Sequence, residues 1–142
     1  MQANIVQVKG ITFVGKASSN HWISMDGPEN FSGSNAATRP KELILIGLGG
    51  CTGADVASIL NKMRQKVGRF EIDIKAESAT EHPKVFTKIH MVYKFWGENL
   101  NEANLEKAIS LSQDRYCSVS AMLKKSVELT HSYEINPEPK TD

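Results

Sequence analysis

The chain has only two cysteines in 142 residues, Cys51 and Cys117, lying far apart and not in any Cys-x-x-Cys pair. That excludes a disulfide-stapled scaffold, and a domain of this length needs neither disulfide nor metal to hold a core. Charge of one sign is missing as well. Seventeen Lys and Arg face sixteen Asp and Glu for a net charge of +1, so there is no electrostatic footprint for nucleic acid. No apolar stretch of signal-peptide length opens "MQANIVQVKGITFVGK". The apolar run from Leu43 is broken by glycines, Thr52 and Asp55, and is too short for a comfortable membrane span. These absences predict a cytoplasmic protein with no nucleic-acid or membrane partner, whose cysteines are thiols and whose 142 residues make one domain.

Nucleotide binding is excluded by what the glycines fail to spell. In "LILIGLGGCTGADVASIL" a dinucleotide fingerprint beginning at Gly47 finds Gly49 at its third position but Thr52 at its sixth, and no Gly-Lys-Ser or Gly-Lys-Thr follows. His21, His82, His90 and His131 are scattered without ligand spacing, so no metal and no cofactor is expected.

The alternation of "NIVQVKG", "ITFVGKA" and "NHWISMD" predicts a three-stranded meander, followed by a turn-rich loop from Gly27 to Pro40. Pro40 at a first helical position, with Glu42 in the first turn, opens a helix running to Val67 with Gly68 as its stop. Its first half (Leu43, Ile44, Leu45, Ile46, Leu48) is apolar on nearly every side, which predicts burial all round; its second half turns Val56, Ile59, Leu60 and Met63 inward. Four glycines in that helix would each cost about 1 kcal/mol relative to alanine unless another backbone or a pocket comes close. Strands "RFEIDIKAES" and "KVFTKIHMVYKFWG", an amphipathic helix with Leu105, Ala108, Ile109 and Ser112 on one stripe, a short helix "SVSAMLKKS" and a closing strand "VELTHSYEI" complete the chain, with residues 136–142 as a frayed tail. The order βββ–α–ββ–αα–β predicts an α+β fold with antiparallel sheets around a long buried central helix, and a dimer to cover that helix.

Two segments carry a resemblance. "RPKELILIGLGGCTGADVASILNKMRQ" is similar to the central helix of the OsmC/Ohr family of osmotically inducible and organic-hydroperoxide-resistance proteins, and "YCSVSAML" resembles its second cysteine motif; the lysine- and glycine-rich form here resembles the shorter YhfA-like branch. The resemblance implies an intertwined homodimer and a thiol-dependent peroxidase that reduces organic hydroperoxides. Cys51 would be the peroxidatic residue, Cys117 the resolving one, Glu42 an orienting residue, and an external dithiol of the lipoyl type the reductant. The alternative it leaves is an OsmC-like dimer with a non-peroxidase, small-molecule-binding or thiol-reactive role. Characterised hydroperoxide-resistance members activate the thiol with an N-terminal arginine held by a glutamate directly after the proline. Here Lys41 follows Pro40, Glu42 comes one place later, and no arginine precedes Arg39. Lys16, Arg39 and Lys41 are the available substitutes. Asp55, four residues beyond Cys51, shares its helical face and disfavours a thiolate there. Cys117, at the start of a short helix beside Arg115, looks the more easily activated of the two, so the roles of the cysteines stay open.

Overall fold

The computed structural model describes residues 1–138. The chain forms two compact units, Met1–Ile46 and Gly47–Asp142, whose boundary falls within the long helix.

The first unit is the expected meander. Strands β1 (Ala3–Lys9), β2 (Thr12–Ala17) and β3 (Trp22–Met25) pair antiparallel in sequence order. Gly10, at φ +56°, makes the turn into β2, a conformation that costs a glycine nothing. Beyond β3 the loop expected from Gly27 holds one turn of 3₁₀ helix, Glu29–Phe31. It is tied down by Asp26, whose Oδ2 accepts from the Ser34 and Ala36 amides at 3.0 Å each and whose Oδ1 accepts from the Gly27 amide at 2.8 Å and the Thr12 hydroxyl at 3.2 Å. The Ala36 amide, against the opposing effect of burial and together with the Gly27 and Ser34 amides and Thr12, holds this carboxyl below the usual carboxylate range.

Helix α1 (Pro40–Lys62) begins where the proline predicts. Glu42 caps it, its Oε2 accepting from the Arg39 amide at 2.9 Å, as the third residue of a capping box does. The helix ends five residues sooner than expected, because Arg64 takes the left-handed conformation (φ +55°) and the Gln65 amide turns back to the Leu60 carbonyl. Gly68, expected as the stop, instead donates to the Trp96 carbonyl at the mouth of the next sheet. By length and composition α1 could cross a bilayer, with mean hydropathy 1.8, although the core helix of a soluble protein passes the same test. Burial all round does not hold within one chain. Only Leu48, Thr52, Val56 and Leu60, at four-residue spacing, are buried, while Ile44 and Ile46 are 44% and 59% exposed. A single chain offers a partner for one stripe of the helix and leaves the rest uncovered.

In the second unit β4 (Arg69–Ser78) pairs antiparallel with β5 (Phe86–Trp96), and β6 (Glu128–Ile135) pairs with β5 in parallel. The expectation of antiparallel sheets therefore holds for the first sheet and fails at this edge. Parallel neighbours need a crossover, here supplied by α2 (Glu102–Leu111), a π-helical turn Ser112–Tyr116, and α3 (Ser118–Leu123). The period of two along β5 buries Ile89, Met91, Tyr93 and Phe95, whereas Thr87 near the strand's start and Val85 just before it are exposed. Phe70 stacks on Phe95 with ring centroids 4.7 Å apart. Two of the helix glycines are explained by closeness to β4: a Cβ on Gly49 would lie 3.1 Å from Ile74 and one on Gly53 3.4 Å from Ile72. Gly47 and Gly50 face open space. The tail expected from Asn136 is tied at its first residues. The Asn136 amide bonds to the Phe95 carbonyl, and Trp96 Nε1 donates to the Pro137 carbonyl at 2.9 Å. Residues 139–142 of that expectation lie outside the described residues.

The centre of this unit is polar. Thr52 Oγ1 lies 2.7 Å from the Tyr93 hydroxyl and 2.9 Å from Ser112 Oγ, and Ser112 donates to Asp55 Oδ2 at 3.1 Å. Each hydroxyl has one proton to give. With the carboxylate at the end, the donors must run Tyr93 to Thr52 to Ser112 to Asp55. Gln113 Nε2 donates to both Thr52 Oγ1 and the Tyr93 oxygen, at 3.1 and 2.8 Å.

Two outcomes follow from these buried groups. Thr52→Val keeps the side chain's shape but strands the Tyr93 and Gln113 donors, and should lower unfolding stability by about 1–3 kcal/mol, read from the urea midpoint. Asp26 has its folded pKa depressed, so its stabilisation is full above the unfolded carboxyl value and is lost as pH falls through the folded one. Asp26→Asn should flatten the acid limb of a thermal-midpoint-against-pH profile; an unchanged acid limb would exclude this role.

Candidate active site

Cys51 and Asp55 stand one helical turn apart on α1, and the 3.6-residue period puts them on one face. Cys117 reaches the same place by a less regular route. The last turn of α2 widens into the π-helical segment, so the Cys117 amide bonds to the Ser112 carbonyl five residues back at 2.8 Å. The chain then leaves helical geometry at Cys117 itself (φ −70°, ψ 99°), which becomes the N-cap of α3, with its sulfur accepting from the Ser120 amide at 3.4 Å. Single π turns of this kind often occur at functional sites.

The result is a compact group. The two sulfurs and an Asp55 carboxylate oxygen all lie within 4.8 Å of one another. Both cysteines are free thiols; Cys51 is partly exposed and Cys117 is 2% exposed. Burial pushes the Cys117 thiol up; the Ser120 hydroxyl and amide pull against this, and Cys51 beside it adds to the rise. The helix-start position expected for Cys117 is therefore present, but burial outweighs the cap and the thiol is raised. Arg115, the neighbour expected to help, lies over the Tyr116 ring at 5.7 Å.

Of the residues singled out from the sequence, Cys51 and Cys117 come together. Glu42 serves as the helix cap described above. Arg39 has its guanidinium engaged by the Ala37 carbonyl at 2.8 Å and by the Asn35 side chain. Lys16 donates to Asn20 Oδ1 at 2.8 Å and lies over the Trp22 ring. His90, one of the four scattered histidines, is flanked by Thr130 Oγ1 at 2.8 Å and Ser132 Oγ at 3.1 Å. Thr52, Tyr93 and Gln113 were not legible as site residues. The one available signal was Ser112, a polar side chain on an otherwise apolar helical stripe.

An open groove of about 370 Å³ is lined by residues that include Asp55, Ile59, Met63, Leu111 and Tyr116. Ile59, Met63, Leu111 and Tyr116 give it an apolar wall, and Asp55, Ser58 and Lys62 give it polar groups.

Comparison with known proteins is consistent in kind. The chain is 42% identical over 135 residues to Protein YhfA of Escherichia coli K12, covering 95% of this chain and 98% of that one. A crystal structure of a hypothetical protein from Aquifex aeolicus VF5 superposes with TM-score 0.82 at 36% identity, covering 97% of both chains. The organic hydroperoxide resistance protein OhrB of Bacillus subtilis shares the fold at TM-score 0.66 and 12% identity, over 94% of this chain and 98% of that one. The model of OsmC-like proteins matches residues 33–132, a span that contains both cysteines, the carboxylate between them and the π turn. On that match and the identity to YhfA, the chain belongs to the OsmC-like protein family.

Proposed function

We propose that the chain is a thiol-dependent peroxidase that reduces organic hydroperoxides in the cytoplasm, with Cys51 as the attacking thiol and Cys117 as the resolving one. The observation that carries this reading is the pairing of a partly exposed sulfur with a buried one less than 4.8 Å away. The Cys51 thiolate attacks the O–O bond and takes the hydroxyl as a sulfenic acid, while the alkoxide leaves and takes a proton from water to become the alcohol. Cys117 then attacks that sulfur, expelling water and forming the disulfide, which protects Cys51 from over-oxidation. An external dithiol takes up the oxidising equivalents and returns both thiols. The Ile59, Met63, Leu111 and Tyr116 wall of the groove that Asp55 also lines favours an organic over an inorganic peroxide.

The active form in this proposal is a homodimer. Ile44 and Ile46 are exposed, and Gly47 and Gly50 leave room for another backbone against α1. A second copy of the helix satisfies both, and it gives these glycines the same reason that β4 gives Gly49 and Gly53.

A second reading is favoured by the engagement of Glu42 and Arg39 at the start of α1. With these groups occupied there, the chain would be an OsmC-like dimer whose thiol pair has a non-peroxidase, small-molecule-binding or thiol-reactive role.

Intact-mass and peptide mapping after one equivalent of cumene hydroperoxide separates the two. A Cys51–Cys117 disulfide that dihydrolipoamide reverses is expected, with Cys117→Ser accumulating sulfenic and then sulfinic acid on Cys51. Two unmodified thiols would favour the second reading. Gly50→Trp should shift sedimentation from dimer to monomer, and a dimer unaffected by it would place the interface elsewhere.

A further inference from the structure

The same three side chains have a chemistry that peroxide reduction does not use. Cys51, Asp55 and Cys117 offer two sulfurs and a carboxylate oxygen whose mutual separations are all within 4.8 Å. On a tetrahedral zinc ion two thiolates at about 2.3 Å stand about 3.8 Å apart, and a carboxylate oxygen binds at about 2.0–2.2 Å. Closing the group on such an ion needs side-chain adjustments of about 1 Å at most.

The supports for each ligand are already in place. Cys51 and Asp55 are fixed at one helical turn by α1. The Ser112 hydroxyl holds Asp55 Oδ2, itself backed by Thr52 and Tyr93, which is the kind of outer contact that orients a metal-bound carboxylate. Cys117 is pinned by its amide bond to the Ser112 carbonyl. Two sulfur ligands discriminate against magnesium and calcium, which take oxygen, and in favour of zinc. Three ligands, with Cys51 partly exposed, leave the fourth position to water or an incoming thiol.

We infer that the reduced Cys51–Asp55–Cys117 group is a binding site for one zinc ion per chain. Binding replaces the two thiol protons, so Zn²⁺ enters and two H⁺ leave, with no change of oxidation state. The site goes beyond the peroxidase reading and does not depend on it, since a reduced dithiol binds metal whether or not it meets a peroxide.

The test uses the full chain, reduced and then freed of reductant under anaerobic conditions. Zinc is titrated against a chromophoric chelator, and cobalt(II) is added in parallel. One equivalent of zinc per chain is expected, and cobalt should give a thiolate charge-transfer band with the strong visible bands of a four-coordinate ion. Cys51→Ser and Cys117→Ser should abolish the charge-transfer signal or halve it. Asp55→Asn, which keeps both thiols and a group for Ser112 to reach, should weaken zinc by tenfold or more. Zinc should also slow alkylation of Cys51 by iodoacetamide in the wild type. The inference is overturned by absence of stoichiometric binding at micromolar free zinc, or by Asp55→Asn binding as tightly as wild type. No peroxide is present in any arm, so the failure of the peroxidase reading would leave this result intact, and the converse holds as well.

Discussion

The hydroxyl of Thr52 sits where a long apolar helix has least reason to carry a polar atom, fully buried on α1 between Leu48 and Val56. It persists there because it accepts from Tyr93 and Gln113 and gives its one proton to Ser112. These bonds join α1, β5 and the end of α2, three elements that apolar packing alone would allow to slide against one another. Hydrophobic contact is non-directional; a hydrogen-bond chain with a forced direction is not. The chain ends on Asp55 and so fixes the carboxylate that faces the two sulfurs, and the mutual position of Cys51 and Cys117 inherits its accuracy from that order.

Much of the architecture was legible because it rests on local rules. Pro40 and Glu42 announced the start of α1, the period of two announced β5, and the stripe Leu105, Ala108, Ile109, Ser112 is buried as read. The end of α1 was misplaced because a left-handed arginine did the work expected of Gly68, and nothing in an arginine's chemistry advertises that conformation. The parallel pairing of β6 was missed for a different reason. Strand direction depends on the path of the crossover, and the residues of β6 alternate in the same way whichever direction they run.

At the site, sequence reading reached the two cysteines and Asp55 and no further. The family motifs placed Cys51 and Cys117, and helical spacing placed Asp55 beside Cys51. The ionisation of Cys117 came out differently, because a helix start can be read from sequence whereas a burial of 2% exposure cannot. Glu42, given an orienting role by the resemblance, caps the helix that contains it. Tyr93 and Gln113 lie 41 and 61 residues from Thr52, and only the folded chain shows that they are neighbours.

The π turn at Ser112–Tyr116 makes the position of one sulfur a question of phase. An α-helix advances about 100° per residue, and the wide turn inserts an extra residue into that count just before Cys117. Chain length in this segment is therefore not interchangeable with chain composition. A substitution at the exposed Asp114 or Arg115 leaves the count intact, whereas loss of a single residue would let the turn close to ordinary helix and rotate everything downstream by about a quarter of a revolution. Sequence drift is cheap at these positions and indels are not, an asymmetry that runs opposite to the usual tolerance of helix-to-helix junctions.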